Sequence, residues 1–310
     1  MLLQTTLHLA CKSFLLQVFY FLHLPIMNYA DQLKELIKNA LAEDIGDGDH
    51  STLSCIDTYA KGKAVLRIKE DGLLAGVKVA EKIFKFMQPD VIFTNFKNDG
   101  DAMQYGEVAF DVEASVRTIL QTERLVLNTM QRMSGIASLT KIYADKLSGY
   151  NTKLLDTRKT TPNFRLLEKE AVRIGGGINH RFGLYDMIML KDNHIDYCGG
   201  IEKAINKAYE YVQTTKPGLK IEVETRNIDD VKKVMVVGKI DRIMLDNFTP
   251  QLVDEAVKII NRQYETEASG GINLNNIEVY AATGVDFISS GAIIHQARSL
   301  DLSLKAVIIS

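Results

Sequence analysis

The sequence predicts an α/β protein whose second half forms a parallel β-sheet closed as a barrel. After residue 150, short apolar runs that are typical of buried strands alternate with longer helical patterns, which is the order that a parallel sheet requires. Polar or charged residues follow these runs one after another, as they do at the active-site face of barrel enzymes. The predicted strands cover residues 153–155, 186–190, 219–223, 242–245 and 285–288.

Composition limits the class of protein. A chain of 310 residues with 46% hydrophobic content can form one large domain or two smaller ones. The formal net charge of −2 gives no support for nucleic-acid binding, so we expect any cationic cluster to bind a small ligand. Cys11, Cys55 and Cys198 are spaced too irregularly for a disulfide framework or a zinc site. A reducing compartment, the cytoplasm, and no membrane partner are therefore expected.

The first 26 residues differ from the rest of the chain. They contain no acidic residue, one lysine and an apolar run over residues 14–22. This run is too short to span a bilayer, and the charged start and cleavage site of a signal peptide are missing. We expect residues 1–26 to be an extension outside the fold, with the true start at Met27. A helix should begin there, with Leu33, Leu36, Ile37, Ala40 and Leu41 at helical spacing.

The first third of the chain is predicted to mix α and β structure. Residues 63–76 alternate in polarity and reach Asp71-Gly72, a pair typical of a β-hairpin turn. Residues 116–147 have the pattern of one long helix or two consecutive ones, with a stop at Gly149. This helical segment is expected to join two domains. Its apolar positions are Ile119, Leu120, Leu127, Met130, Ile142 and Tyr143.

The ends of the predicted barrel strands carry the residues that suggest chemistry. A single charged residue after a strand is most often a solvated turn residue. Here polar or charged residues follow several strands in turn, which indicates a pocket instead. The cations near the first of these strands indicate an anionic ligand. The cations are Arg158, Lys159, Arg181 and Lys191, and the later strand ends carry Glu224, Asp246, Ser269-Gly270-Gly271 and Ser290-Gly291.

Elsewhere the pattern alone favours structural roles. By spacing, Arg124 is a solvated helix charge that pairs with Glu123, and His180 belongs to a surface loop. Lys169 and Arg173 lie one turn apart on one helix face, where they could still border the pocket. The charges interpreted as helix-surface residues are Arg165, Glu168, Lys169 and Glu170.

Longer blocks identify a family. From about Ala40 to Lys305 the chain resembles the quinolinate phosphoribosyltransferases, the decarboxylating nicotinate-nucleotide pyrophosphorylases. The blocks that carry the resemblance are ALAEDIGDGDHST, ERLVLNTMQRMSGIAS, DTRKTTPNFRLLEKEAV, GGGINHRFGLYDMIMLKDNHI, IEVET, IMLDN, EASGGI and ISSGAI. The resemblance implies an N-terminal α/β sandwich domain over residues 27–134 and a C-terminal incomplete TIM-like α/β barrel over 135–310, with a last segment that returns to the first domain. It also implies a homodimer, or a hexamer, with shared active sites.

The family reaction is a pentosyl transfer. Quinolinate and phosphoribosyl pyrophosphate give nicotinate mononucleotide, pyrophosphate and carbon dioxide in the presence of Mg²⁺, a step of de novo NAD biosynthesis. Clustered cations are suited to the two adjacent carboxylates of quinolinate. By resemblance, the quinolinate-binding residues are Arg158, Lys159, His180, Arg181 and Lys191, together with Arg124 from the neighbouring subunit.

The second substrate requires carboxylates and backbone amides as well as cations. By resemblance, Glu224 and Asp246 contact the ribose hydroxyls or Mg²⁺, directly or through substrate or water. Glycine brings backbone N–H groups close to a phosphate, and a following helix N-terminus favours anions. The residues expected to bind phosphoribosyl pyrophosphate are Glu224, Asp246, Ser269, Gly270, Gly271 and Gly291.

Catalysis is expected to be electrostatic. Lys159 and Lys191 are the predicted groups that stabilise the departing pyrophosphate, and Glu224 and Asp246 complete the predicted catalytic set. No Ser-His-Asp triad is needed, and the sequence offers none. A P-loop is absent, as is an apolar strand ending in paired acids before a Thr-rich loop, which argues against the Rossmann-like phosphoribosyltransferases.

Two alternatives remain open. A family relative of the same fold could act on another anionic acceptor, as with nicotinate or in a paralogue associated with molybdenum uptake. The protein could also bind anions without catalysis, because a fold does not fix a function.

Overall fold

The computed structural model describes residues 28–307, so the predicted extension 1–26 and the predicted start at Met27 lie outside the described residues. The first helix, α1 (Tyr29–Ile45), begins after Asn28, whose side chain accepts a hydrogen bond from the Asp31 N–H. Its predicted apolar stripe is buried at Leu33, Ile37 and Leu41. Helix α2 (His50–Cys55) follows it.

The N-terminal half contains a four-stranded antiparallel sheet in the order β12-β1-β5-β3. A separate two-stranded sheet pairs β2 with β4, and helix α3 is amphipathic, with Ile83 and Phe84 fully buried. The elements are β1 (Lys61–Ile68), β2 (Gly72–Leu73), α3 (Val77–Met87), β3 (Ile92–Asn95), β4 (Ala102–Met103), β5 (Val108–Ser115) and, from the end of the chain, β12 (Leu302–Val307).

The predicted hairpin at Asp71-Gly72 is wrong. Both edges of β1 are occupied, one by β5 and the other by β12, so β2 cannot fold back onto it. Gly72 is instead a point of close approach, because a Cβ atom there would lie 2.6 Å from Leu300 Cδ1 and 2.7 Å from Ser138 Oγ. The local turn signal could not reveal that the end of the chain supplies the missing partner.

A single 31-residue helix, α4 (Val116–Lys146), follows β5 and begins at the capping residue Ser115. Its inner face buries most of the predicted positions, whereas Leu120 and Ile142 are 41% and 51% exposed. At Gly135 a Cβ atom would lie 1.8 Å from the Arg298 carbonyl oxygen, so only glycine lets the returning chain cross here.

The second half forms a six-stranded parallel sheet in the order β6-β11-β10-β9-β8-β7. Within residues 28–307 the edge strands β6 and β7 do not pair, although an isolated bridge joins Leu155 to Ile178. The barrel is therefore open, as the family resemblance implied and the strand pattern alone did not. Its strands are β6 (Lys153–Leu155), β7 (Ile188–Leu190), β8 (Ile221–Thr225), β9 (Arg242–Asp246), β10 (Glu265–Ser269) and β11 (Phe287–Ser289).

Helices connect these strands, which confirms the predicted α/β class. They are α5 (Arg165–Ile174), α6 (Asp192–Cys198), α7 (Ile201–Thr214), α8 (Ile228–Val237), α9 (Pro250–Ile260), α10 (Ile277–Ala281) and α11 (Ala292–His295).

Strand β12 returns to the N-terminal sheet, where it pairs antiparallel with β1. The division between residues 134 and 135 stays a prediction, because α4 passes through it without a break. Within residues 28–307 no helix has the length and apolar character needed to span a bilayer.

Candidate active site

A cavity of about 710 Å³ opens at the carboxyl ends of the parallel strands. This is the edge of an α/β sheet at which ligands bind most often. Arg124 and Glu224 do not line it, but Glu224 holds one of the lysines that do. The predicted site residues that line it are Arg158, Lys159, His180, Arg181, Lys191, Asp246, Ser269, Gly270, Gly271 and Gly291.

One side of the cavity is cationic. Burial lowers the pKa of Arg181, and the neighbouring positive charge of Arg158 lowers it further. The buried Nε of Arg158 has no hydrogen-bond partner in the part of the chain that the structure describes. Two guanidinium groups that destabilise each other in this way would gain from an anion between them. Lys159 completes this side, and its stem lies against Gly291, where a Cβ atom would be 2.9 Å from Lys159 Cδ.

His180 lies at the floor of this cationic side and is 9% exposed. Its Nε2 atom is 3.1 Å from Glu222 Oε2 and 3.2 Å from Glu267 Oε2. Burial alone lowers the pKa of His180, but hydrogen bonding and attraction to the two carboxylates outweigh it and raise the pKa to about 9. Its Nδ1 atom lies 2.6 Å from the Arg181 backbone nitrogen, and it accepts this N–H only when the imidazole is neutral. Both ring nitrogens therefore lie against protein groups.

A buried ion pair lies behind the same loop. Lys169 Nζ donates to Asp156 Oδ1 at 2.5 Å and to the His180 carbonyl at 3.1 Å, and Asp156 accepts the His180 N–H. Burial raises the pKa of Asp156 to about 6 and lowers that of Lys169, while their mutual attraction opposes both shifts. The pair thus fixes the backbone of His180 from behind.

The prediction that Glu168 and Lys169 are helix-surface charges is wrong, because they are 0% and 1% exposed. The inner face of α5 packs against α4 and the end of β6, and Arg132 of α4 lies 2.8 Å from Glu168 Oε1. The predicted position of Lys169 and Arg173 at the border of the pocket is also wrong, because neither residue lines the cavity. Lys169 is buried, whereas Arg173 is exposed and pairs with Glu170. The partly buried Arg165 donates to Thr160 Oγ1 and to the Phe182 carbonyl.

Acidic groups stand on the other side. Lys191 Nζ donates to Glu224 Oε2 at 2.7 Å. Burial raises the pKa of Asp246, and the charge of Glu224 raises it further, while Lys191 opposes the shift. Asn247 follows in a left-handed conformation (φ 57°) and donates to Asp246 Oδ2 at 2.6 Å. A carboxylate whose ionisation a neighbouring negative charge disfavours is a suitable setting for a further cation.

The glycine segment after β10 comes close to Asn247. Gly270 has φ +92°, and a Cβ atom there would lie 2.1 Å from Asn247 Oδ1, so a side chain is excluded twice over. The sequence predicted that a helix N-terminus follows these phosphate-binding glycines, but the structure provides this only in part. Five residues, 272–276, separate Gly271 from the start of α10 at Ile277, and the helix after Gly291 spans only Ala292–His295.

Sequence reasoning missed several polar residues that line the cavity. Asn247 could have been found, because it directly follows the predicted strand-end residue Asp246. Ser289 ends strand β11 and Glu267 lies within β10, while the others lie in loops or a short helix without a pattern of their own. These residues are Asn247, Glu267, Asn273, Ser289, His295 and Gln296.

Arg124 is exposed on α4. It forms no salt bridge or hydrogen bond with any residue of the described range 28–307, so the predicted pair with Glu123 is absent. Its predicted role in the site of a neighbouring subunit stays a prediction.

Comparison with known proteins covers nearly all of the described chain. The model for the quinolinate phosphoribosyl transferase N-terminal domain matches residues 49–134, and the model for its C-terminal domain matches residues 136–305. A quinolinate phosphoribosyltransferase [decarboxylating] 1b of Nicotiana tabacum is 43% identical over 88% of this chain and 82% of its own length. A probable nicotinate-nucleotide pyrophosphorylase [carboxylating] of Bacillus subtilis is 40% identical over 89% of this chain and 94% of its own.

Solved structures agree with this result. The crystal structure of NadC from Streptococcus pyogenes superposes with a TM-score of 0.84 at 38% identity. The match covers 93% of this chain and 100% of that one.

Proposed function

The chain belongs to the quinolinate phosphoribosyltransferase family, and we propose that it joins quinolinate to phosphoribosyl pyrophosphate in de novo NAD biosynthesis. The products are nicotinate mononucleotide, pyrophosphate and carbon dioxide. The observation that carries the proposal is one cavity with a cationic side for a dicarboxylate and an acidic, glycine-rich side for a phosphorylated sugar.

The cationic side suits quinolinate. Arg158 and Arg181 can each meet a carboxylate with two parallel N–H groups, and Lys159 and Lys191 add point charges. The buried Arg158 Nε without a protein partner supports this assignment, since a buried donor without an acceptor is costly. Nicotinate, which has one carboxylate, would leave part of this charge unmatched.

The opposite side suits phosphoribosyl pyrophosphate. Gly270 and Gly271 expose backbone close to the cavity, and Ser269 adds a hydroxyl group. Glu224 and Asp246 supply the hard oxygen donors that Mg²⁺ prefers. Because Lys191 already holds Glu224, these two carboxylates fit a magnesium ion that arrives with the pyrophosphate better than a cage made of protein ligands alone. Bound there, Mg²⁺ would neutralise charge on the departing pyrophosphate.

The proposed mechanism uses position and charge. As pyrophosphate leaves, C1 of the ribose gains positive character, and Lys159 and Lys191 stabilise the leaving anion. The pyridine nitrogen attacks C1 and becomes cationic. The bond from C2 to its carboxylate then breaks, and carbon dioxide departs. The electron pair stays on C2 beside the cationic nitrogen until it takes up a proton from solvent. The substrate supplies its own electron sink, so no dedicated base is required.

We also propose a homodimer with shared sites, which is a unit from which a hexamer can be built, and a cytoplasmic location. The exposed Arg124, which meets no acceptor among residues 28–307, supports a site completed by a partner. Mixing the inactive variants Arg124→Ala and Lys159→Ala should restore activity, because one site of each mixed dimer regains both residues. Mixing Lys159→Ala with Lys191→Ala should not, since every site then keeps a defect. A fluorescent fusion tests the location.

The reaction itself is tested by incubating the protein with quinolinate, phosphoribosyl pyrophosphate and Mg²⁺, with nicotinate in a parallel assay. We expect nicotinate mononucleotide and carbon dioxide in equal amounts from quinolinate and no product from nicotinate. Product from nicotinate alone would move the function to another acceptor. Binding of both substrates without pyrophosphate release would favour a non-enzymatic anion-binding role.

A further inference from the structure

Two glutamates lie inside the parallel sheet at the floor of the cavity, and one of them, Glu267, helps to line it. Glu222 of β8 and Glu267 of β10 are each 0% exposed, and β9 separates their strands. A carboxylate loses several kcal/mol of hydration on full burial, so it requires a partner. Neither glutamate is needed for any step of the proposed reaction.

The two carboxylates have different partners. Glu267 Oε2 accepts from Arg242 Nη1 at 3.0 Å, and Arg242 also binds Glu265 at the start of β10. Within residues 28–307, neither oxygen of Glu222 makes a hydrogen bond, and its one ion-pair partner is His180 Nε2 at 3.1 Å. The charge of His180 therefore makes burial of Glu222 tolerable, and the two carboxylates together hold Nε2 between them.

We propose that Glu222 and Glu267 are positioning residues for the acceptor half of the cavity and act through His180. This inference rests on the proposed function and deepens it. The imidazole links the buried carboxylates on its Nε2 side to the Arg181 N–H on its Nδ1 side. Its orientation thereby sets the backbone from which the Arg181 guanidinium reaches the cavity.

The same three side chains could also be considered as a metal site, because their ligand atoms lie within 4.8 Å of one another. The arrangement argues against it. Arg242 Nη1 already occupies Glu267 Oε2, and a guanidinium 3.0 Å from a ligand oxygen would repel a metal ion. A charged His180 between the two carboxylates accounts for the short distances without an ion.

The chain offers a matched control for the test. Glu265 binds the same Arg242 but does not contact His180, and it is about half exposed. In Glu222→Gln and Glu267→Gln we expect KM for quinolinate to rise about tenfold or more, as when a buried hydrogen bond to a charged group is lost. KM for phosphoribosyl pyrophosphate should stay within about twofold, and Glu265→Gln should leave both values unchanged.

The sign of the effect is informative. If Glu222 acted only as a negative charge near an anion site, its removal would strengthen quinolinate binding. A positioning role predicts weaker binding. Tighter binding in Glu222→Gln would therefore overturn the proposal.

A second background shows whether the effect passes through His180. When Glu222→Gln is added to His180→Ala, KM for quinolinate should not rise further. If Glu222→Gln raised KM equally with and without the imidazole, the proposal would be wrong. The ¹⁵N shift of His180 Nε2 should move in Glu222→Gln and not in Glu265→Gln. Tightly bound metal in the wild-type protein that Glu222→Gln lacks would also overturn it.

The NMR comparison needs no turnover. If the wild-type protein fails to make nicotinate mononucleotide, the proposed function fails, yet the His180 shift still decides whether Glu222 controls this imidazole.

Discussion

In the four-stranded antiparallel sheet the fully buried side chains are apolar, among them Leu66, Ile68 and Phe110, and the buried Asp111 is 8% exposed and pairs with Lys63. The parallel sheet instead encloses Glu222 and Glu267 completely. Apolar burial stabilises the first region directly. The second region keeps charges whose burial costs hydration and which apolar residues of similar volume could often replace without loss of stability. The comparison indicates that the first sheet serves the fold and that the second gives up stability to hold a charged cavity in place.

The largest expected effect comes from breaking the buried pair behind the cavity. Lys169→Met leaves Asp156 as an uncompensated buried carboxylate, and we expect a loss of about 3–5 kcal/mol in the free energy of unfolding together with weaker quinolinate binding. On the same helix, the exposed Arg173→Met should cost less than about 1 kcal/mol. Urea unfolding and quinolinate titration measure both.

The double variant Asp156→Asn/Lys169→Met sharpens this test, because it removes the unpaired charge. It should regain much of the stability but not the quinolinate affinity, since the two hydrogen bonds that hold the His180 backbone remain altered. Recovery of both properties would mean that the pair serves only the fold.

Part of this contrast was visible in the sequence. Apolar runs followed by charged residues predicted the parallel sheet and brought most of the cavity residues to one edge. Strand β10 (Glu265–Ser269) was not predicted as a strand, because Ala268 is its single apolar residue. Strand β8 encloses Glu222 but was recognised, since Ile221 and Val223 on either side of it keep an apolar run.

Nothing in the sequence pattern indicated that Lys169 is buried. Helical spacing reports one element, and the partner Asp156 stands 13 positions earlier, at the end of another. The predicted hairpin was wrong on the same ground, since the partner of β1 is the end of the chain. Periodicity predicts elements, while pairing over long sequence separations depends on the assembled fold.

On the apolar side, Phe110→Ala should cost about 3–5 kcal/mol in the free energy of unfolding, as for other enclosed phenylalanines. Phe110 contacts the Phe93 ring at 4.4 Å and the Phe84 ring at 6.3 Å between centroids. At a temperature where the variant is folded, kcat/KM for quinolinate should equal that of wild type. A loss of activity in the folded variant would contradict the division of roles between the two sheets.

On the charged side, Lys159→Ala should lower kcat/KM by about 10²–10³-fold, comparable to removal of one transition-state donor. Its stability should hardly change, because Lys159 is exposed. Lys153→Ala is the matched control: this lysine is also exposed but lies at the opposite end of β6. Wild-type kcat/KM in Lys159→Ala would remove it from the catalytic set.

The smallest expected effect is a pH dependence of stability that belongs to His180. Its pKa is raised from 6.5 to about 9 in the folded protein, so the folded state binds a proton more tightly than the unfolded chain does. The stabilisation is complete below pH 6.5 and is lost as the pH rises through 9, by at most about 3 kcal/mol at about 1.4 kcal/mol per pKa unit. The neutral imidazole then accepts the Arg181 N–H, which offsets part of this loss. Glu222, whose pKa burial raises to about 7, acts in the same direction, while Glu267 and Arg242 stay charged beside it.

Subtraction separates these contributions. The difference in unfolding free energy between wild type and His180→Gln should shrink between pH 6.5 and 10, because only wild type loses the proton held by this imidazole. The N-terminal sheet contains no comparable buried histidine within the described residues 28–307, so Phe110→Ala should shift the whole stability profile without changing its slope. A difference for His180→Gln that is constant with pH would show that the two carboxylates do not retain its proton, and the contrast between the two interiors would then rest on Asp156 and Lys169 alone.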